Sequence, residues 1–180
     1  MLTEADRKLL LAIARDALTA HLNGSAAAPV EPRPDLLDRP SGAFVTLHRS
    51  GELRGCIGHV EANEPLGRVI ARCAIAAGTE DPRFPAVAPG ELHELEIELS
   101  IMGPLEPVAD LGEIHIGRHG LVVEQGWHRG LLLPQVATEW HWDVRDFVAE
   151  TCRKAGLSRD AWQSGAKIWK FEAEVFGEAG

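Results

Sequence analysis

Leu95-Glu96-Ile97-Glu98-Leu99-Ser100-Ile101 alternates apolar and polar residues without a break. A period of two marks a strand with one face on a core and the other turned away from it. Working outward, residues 43–48 and 53–60 carry similar runs, joined at Ser50-Gly51, and read as a pair of strands. Residues 114–116 and 121–124 flank Gly117-Arg118-His119-Gly120 and suggest a second hairpin. A turn at 127–130 leads into a strand at 131–133, and residues 166–176 form the last strand, with Trp169, Phe171, Ala173 and Val175 on one side.

Helical spacing fills the intervals. Leu9, Leu10, Ile13, Ala14, Ala17 and Leu18 form one stripe behind a Thr3/Asp6 capping box, and Asn23-Gly24 ends that helix. Leu66, Val69, Ile70, Cys73 and Ala77 follow Pro65 and predict a helix closed by Gly78. A short helix is expected at 134–139. Asp143 caps another, carrying Val144, Phe147, Val148 and Cys152 and stopped by Gly156. Strands and helices in mixed order predict an α+β fold, a mostly antiparallel mixed sheet with flanking helices. Neither GxGxxG nor GxxxxGK[ST] occurs, which argues against a doubly wound nucleotide fold.

The chain of 180 residues reads as a single domain, with a proline-rich surface connection at 24–42. Its formal charge of −9 repels phosphate backbones and anionic headgroups, so nucleic acid and membrane surfaces are not expected partners. Cys56, Cys73 and Cys152 are an odd, sparse set that fits a reducing compartment and not a disulfide framework. Charged residues interrupt residues 2–23, and no apolar run reaches the roughly 18–20 residues of a membrane span. A cytoplasmic location is the expectation.

The most unusual stretch is Leu53-Arg54-Gly55-Cys56-Ile57-Gly58. Paired glycines in a strand mark a bulge or a close backbone approach. In a regular strand Arg54 and Cys56 share a face, and a guanidinium there would favour thiolate. Against this, free cysteine is a common core residue, and regular pairing sets Val45 and Leu47 opposite Cys56 and Arg54. Cys56 and His59 have C-x-x-H spacing, yet residues three apart face opposite sides of a strand, so no metal site is expected. In Asp81-Pro82-Arg83-Phe84-Pro85 an acid and a base stand in a rigid turn, either pairing with each other or holding Arg83 towards an anion. Gln135 and Glu139 share a helix face that either lines a pocket or packs. Cys73 and Cys152 read as core.

Taken together, LRGCIG at 53–58, DPRFP at 81–85, EL at 91–92, GRHGLVVE at 117–124, GLLLPQVA at 130–137 with Glu139, and WD at 142–143 resemble the AMMECR-one domain family, also called AmmeMemoRadiSam system protein A. The resemblance runs from about residue 44 to about residue 162. It implies an α+β fold with one larger and one smaller lobe, the smaller within 60–95, and motif segments near a cleft. It also implies Memo-like and radical-SAM companion proteins. The positions that carry over are Arg54, Cys56, Asp81, Arg83, His119, Gln135 and Glu139. His59 stands where Thr or Ser is usual, and His141 where glycine is usual.

Two readings stay open. In the first the chain is an enzyme: Cys56 is nucleophile or general acid, His119 or Glu139 moves protons, and Arg54, Asp81, Arg83 and Gln135 bind a small anionic or carbonyl-bearing substrate. In the second it is a non-catalytic accessory that binds a small ligand, a metal in transit or a companion protein. A purely structural role would leave the polar motif residues without a purpose. No particular cofactor is implied.

Overall fold

The computed structural model describes residues 1–179. They divide into two compact units, residues 103–173 and the remainder, which joins 1–102 to the chain's end from Glu174. Residues 60–95 lie wholly within the larger one.

In the larger unit, helix α1 (Glu4–Asn23) starts at the expected capping box: Thr3 Oγ1 accepts from the Asp6 amide at 3.1 Å, and Asp6 Oδ2 accepts from the Thr3 amide at 2.9 Å. Gly24, at φ 68, ends it. The connection at 24–42 is mostly exposed, but it holds one helical turn, α2 (Pro34–Leu37), that sends Leu36 into the core. Strands β1 (Ala43–Arg49) and β2 (Glu52–His59) join at Ser50 and Gly51, with φ of 52 and 79. Positive φ at both residues matches the twist of a two-residue hairpin. Helix α3 (Leu66–Thr79) follows Pro65. Gly78 does not stop it: a Cβ there would stand 2.7 Å from Leu18 Cδ1, so the glycine lets α1 pack closely.

The alternating stretch forms β3 (Leu95–Met102), paired antiparallel with β1 in the order β2-β1-β3. The C-terminal end of β7 (Lys167–Gly177) lies beside β3, where the Glu178 amide donates to the Ile97 carbonyl at 3.0 Å. Leu10, Leu18, Val45, Leu47, Leu66, Ile70, Ile97 and Leu99 are fully buried in one cluster between helices and sheet. Each such side chain contributes roughly 1.5–3 kcal/mol through loss of water contact.

The smaller unit holds β4 (Glu106–Pro107), β5 (His119–Gln125), β6 (His128–Leu132) and the first part of β7. All its strand pairs are antiparallel, β6 and β7 flanking β5 and β4 joining β7. Helices α4 (Pro134–Glu139) and α5 (Val144–Lys154) complete it, and α5 starts at an Asp143/Asp146 capping box. Phe147, Val148 and Cys152 of α5 pack with Leu121 and Val123 of β5.

No hairpin forms around Gly117. Residues 111–113 are a turn of 3-10 helix, and the amides of Arg118 and His119 both donate to the His115 carbonyl, so the chain coils before β5 begins. Gly117, at φ 87, permits that coil. Side-chain alternation also slips in β7: Val175 is exposed, and its neighbour Phe176 enters the larger unit's core. Among the described residues no helix is long and apolar enough to cross a membrane.

Candidate functional site

The glycines of 53–58 have separate reasons. A Cβ on Gly55 would lie 2.1 Å from the Ala77 carbonyl oxygen near the end of α3, and one on Gly58 would lie 2.0 Å from Phe44 Cδ1. Close approach accounts for both. The bulge is also present, with a consequence for Cys56. Thr46 pairs with Cys56 and Leu47 with Gly55, then the register shifts so that His48 meets Leu53 and Arg54 has no opposite residue. Regular pairing had set Val45 and Leu47 across from Cys56 and Arg54. With the slip, Gly55 and Ile57 turn to the core, and Cys56 shares the other face with Thr46 and with Glu98, the β3 partner of Thr46.

β2 is the edge of its order, and the Cys56 amide finds its partner in a loop. Asp81 Oδ2 accepts from that amide at 3.0 Å and from Arg83 Nη2 at 2.8 Å. Asp81 Oδ1 accepts from the Arg83 amide and from Arg83 Nε, each at 3.0 Å. Asp81 is 5% exposed. Arg83's hydrogen bonds, and then the two backbone amides, hold it far below the usual carboxylate range despite burial. So the acid–base turn pairs internally and covers a sheet edge that would otherwise be open to strand addition.

Arg54 works beside it. Its Nη1 donates to the Pro85 carbonyl at 2.8 Å, while Nε and Nη2 reach the two Glu91 carboxylate oxygens at 3.2 and 3.3 Å. Glu91 in turn accepts from the Ala88 amide and pairs with Arg49. Every guanidinium nitrogen of Arg54 is occupied, and it is absent from the groups that shift Cys56. The expectation that Arg54 activates the thiol does not hold, because the bulge sends its side chain to Pro85 and Glu91. LRGCIG, DPRFP and EL thus lock together as one clasp.

The clasp leaves the Cys56 thiol half-buried, 3.3 Å from Thr46 Oγ1. Burial pushes its pKa above the usual thiol value. The Thr46 hydroxyl and Arg83 pull it down, Asp81 and Glu98 push it up, and burial wins. Arg83 remains the most open charge here, with its side chain 56% exposed. Thr46 and Glu98 carry no signal of their own in the sequence; both follow once the bulge fixes what stands opposite Cys56.

The other motif residues lie in the smaller unit. His119 is 5% exposed, and its Nδ1 accepts from the His115 amide at 2.9 Å. Burial first, then Lys170 and Arg118, lowers its pKa below the ordinary histidine value. Its Nε2 lies 3.9 Å from Glu172. α4 covers the coil before it: a Cβ on Gly117 would stand 3.6 Å from Thr138 Oγ1. Gln135, on α4, has a buried Oε1 without a hydrogen-bond partner among the described residues, and Glu139 is exposed.

His59, the second residue of the C-x-x-H pair, bonds Asn63 Oδ1 at 2.9 Å. Among the described residues no group of three or more His, Cys, Asp or Glu side chains is placed to hold a metal ion. Cys56, Cys73 and Cys152 are all free, the last two buried.

The AMMECR1 family model matches residues 11–176. The chain belongs to the AMMECR1 family. It is 44% identical over 187 residues to a protein of Methanothermobacter thermautotrophicus, covering 99% of this chain and 97% of that one. A Thermococcus gammatolerans protein is 44% identical over 183 residues, covering 95% and 89%. The crystal structure of PH0010 from Pyrococcus horikoshii superposes with a TM-score of 0.91 at 39% identity, covering 98% of this chain and 93% of that chain. Agreement at that level establishes the α+β fold for this AMMECR1 chain.

Proposed function

We propose that the face around Cys56 recognises a small molecule bearing a carbonyl or anionic group, with Cys56 acting as a protonated thiol. The observation that carries this reading is the half-buried sulfur beside Thr46 Oγ1, on a strand whose amide is pinned by Asp81 while the Arg83 guanidinium stays open to solvent. A neutral thiol donates a hydrogen bond or a proton, and Arg83 supplies the positive charge that orients an anion. Arg54 and Asp81 act on the ligand only through the shape they impose. Held in advance, such a shape costs little ordering on binding.

On this reading the protein is a small-molecule component of an enzyme system, and catalysis at Cys56 is general-acid in kind. His119, with Gln135 and Glu139, is proposed as a separate polar group; because Nδ1 accepts from the His115 amide, the neutral imidazole carries its hydrogen on Nε2 and donates from there. Memo-like and radical-SAM companions, and a cytoplasmic setting that suits three free cysteines, belong to the same proposal.

The test is the pH profile of iodoacetamide alkylation in the native protein, with modified residues located by mass spectrometry. Expected are slow labelling at pH 7, a rise for Cys56 only at alkaline pH, and protection of Cys73 and Cys152. A half-maximal rate below the pH of a free thiol would end the protonated-thiol reading and restore the nucleophile.

A further inference from the structure

The smaller unit contains a cavity that no motif points to. Its volume is about 830 Å³, and it lies between the β4–β7 pair, the 3-10 turn at Ala161–Gln163 and the start of α5. That size is in the range of about 300–1,000 Å³ usual for small-ligand sites. Trp162 and Trp169 line it, together with Arg145, Lys167 and Asp110. Asp110 Oδ1 is already used by the Gly112 amide at 2.8 Å.

The charges decide what would fit. Most cations of this chain pair with carboxylates, as Arg7, Arg15, Arg49, Arg72, Arg118 and Arg159 do. Neither Arg145 nor Lys167 has a side-chain partner among the described residues. Two unpaired cations therefore border one cavity in a protein of formal charge −9. A wholly apolar occupant would strip water from both and return nothing. A polyanion such as nucleic acid would meet the repulsion of the chain as a whole. What satisfies both cations and indoles is a small molecule with one anionic group and one flat ring.

We propose that this cavity binds a small aromatic anion, its ring against Trp162 and Trp169 and its carboxylate or phosphate towards Arg145 and Lys167. The site is separate from the Cys56 face and uses none of its residues. Stacking on indoles tolerates many ring systems, so specificity comes from the anion.

The experiment follows the indole Nε1–H resonances of the five tryptophans, assigned with Trp162→Phe and Trp169→Phe, during titration with four probes. AMP and indole-3-acetate offer the two anion chemistries, and adenosine and indole-3-acetamide are their neutral counterparts. Expected is a saturable shift of the Trp162 and Trp169 signals with at least one anion, while Trp127, Trp140 and Trp142 stay put. AMP alone would assign a phosphate ligand, and indole-3-acetate alone a carboxylate. Arg145→Gln should weaken that binding by about tenfold, Arg145→Lys by less, with thermal unfolding unchanged. Neutral and anionic probes acting alike would overturn the proposal. So would wild-type affinity in both Arg145→Gln and Lys167→Gln, or no saturable shift with either anion.

Discussion

The motif residues of the larger unit and those of the smaller one are satisfied to very different degrees. Around Cys56, Arg54 and Asp81 spend all their bonds on protein: Arg54 on Pro85 and Glu91, Asp81 on Arg83 and the Cys56 amide. In the smaller unit Gln135 keeps a buried Oε1 unpaired, and His119 is held by one backbone amide. A sequence motif can therefore record packing as well as chemistry. A run of charge next to a cysteine can be scaffolding, and a polar atom with no partner, such as Gln135 Oε1, can sit in a segment that looks like packing. Buried polar atoms without partners are uncommon in folded proteins, so the Gln135 Oε1 is an acceptor open to a ligand.

The largest expected effect breaks the clasp from beneath. Gly55→Ala would drive a methyl group into the Ala77 carbonyl, a backbone atom that cannot swing aside. A loss of about 3 kcal/mol in urea unfolding is expected, in line with overpacking a tight site. Stability within 0.5 kcal/mol of wild type, about the scatter of surface substitutions, would mean that β2 and α3 are not held as described.

Next comes Asp81→Ala, expected to cost about 2–3 kcal/mol, because charge-assisted bonds and a strand-edge amide lose their acceptor together. Faster hydrogen exchange at the Cys56 amide should accompany it. Arg54→Ala is expected to cost less, about 1–2 kcal/mol, since Glu91 keeps Arg49 and the Ala88 amide. Equal losses for Asp81→Ala and Gln135→Ala would erase the contrast between the two regions.

Acid unfolding separates the regions by pH. Asp81 titrates far lower when folded than when unfolded, so its stabilisation is complete above the unfolded value of about 4 and fades as pH falls below it. His119 also has a lowered folded pKa, but it is a base. The unfolded chain takes up its proton first, so stability begins to fall below about pH 6.5. His119→Gln should flatten only the upper limb of the stability–pH curve and Asp81→Asn only the lower one. The same limb flattened by both changes would contradict that division.

The smallest effect concerns the thiol itself. Cys56→Ala should cost less than about 1 kcal/mol, because the side chain is only half-buried. Thr46→Val removes a hydroxyl that favours the thiolate, so Cys56 alkylation at pH 8 should slow further. Acceleration would show that Thr46 acts as acceptor from the thiol and not as donor to the sulfur.

Much of this was legible along the chain. The β3 alternation, the apolar stripes of α1, α3 and α5, and both capping boxes, Thr3/Asp6 and Asp143/Asp146, stand where periodicity and side-chain chemistry put them. The failures share a feature. Gly78 read as a stop, the coil at 115–119 read as a hairpin, and Arg54 read as the partner of Cys56. Each depends on what lies across a gap in the fold: Leu18 for Gly78, α4 for the coil, Pro85 and Glu91 for Arg54.

Short-range forces act between residues a turn or a pleat apart, so period, caps and composition fix most of the helices and strands and make the chain α+β, but not the coil at 115–119. Long-range strand pairing sets which face Cys56 takes, because one unpaired residue at Arg54 reverses it. The tertiary structure also decided that Asp81 holds the Cys56 amide from 25 residues away and Arg54 holds Glu91 from 37. Bonds closed over such distances are chosen by the packing of the whole unit, and no local pattern encodes them.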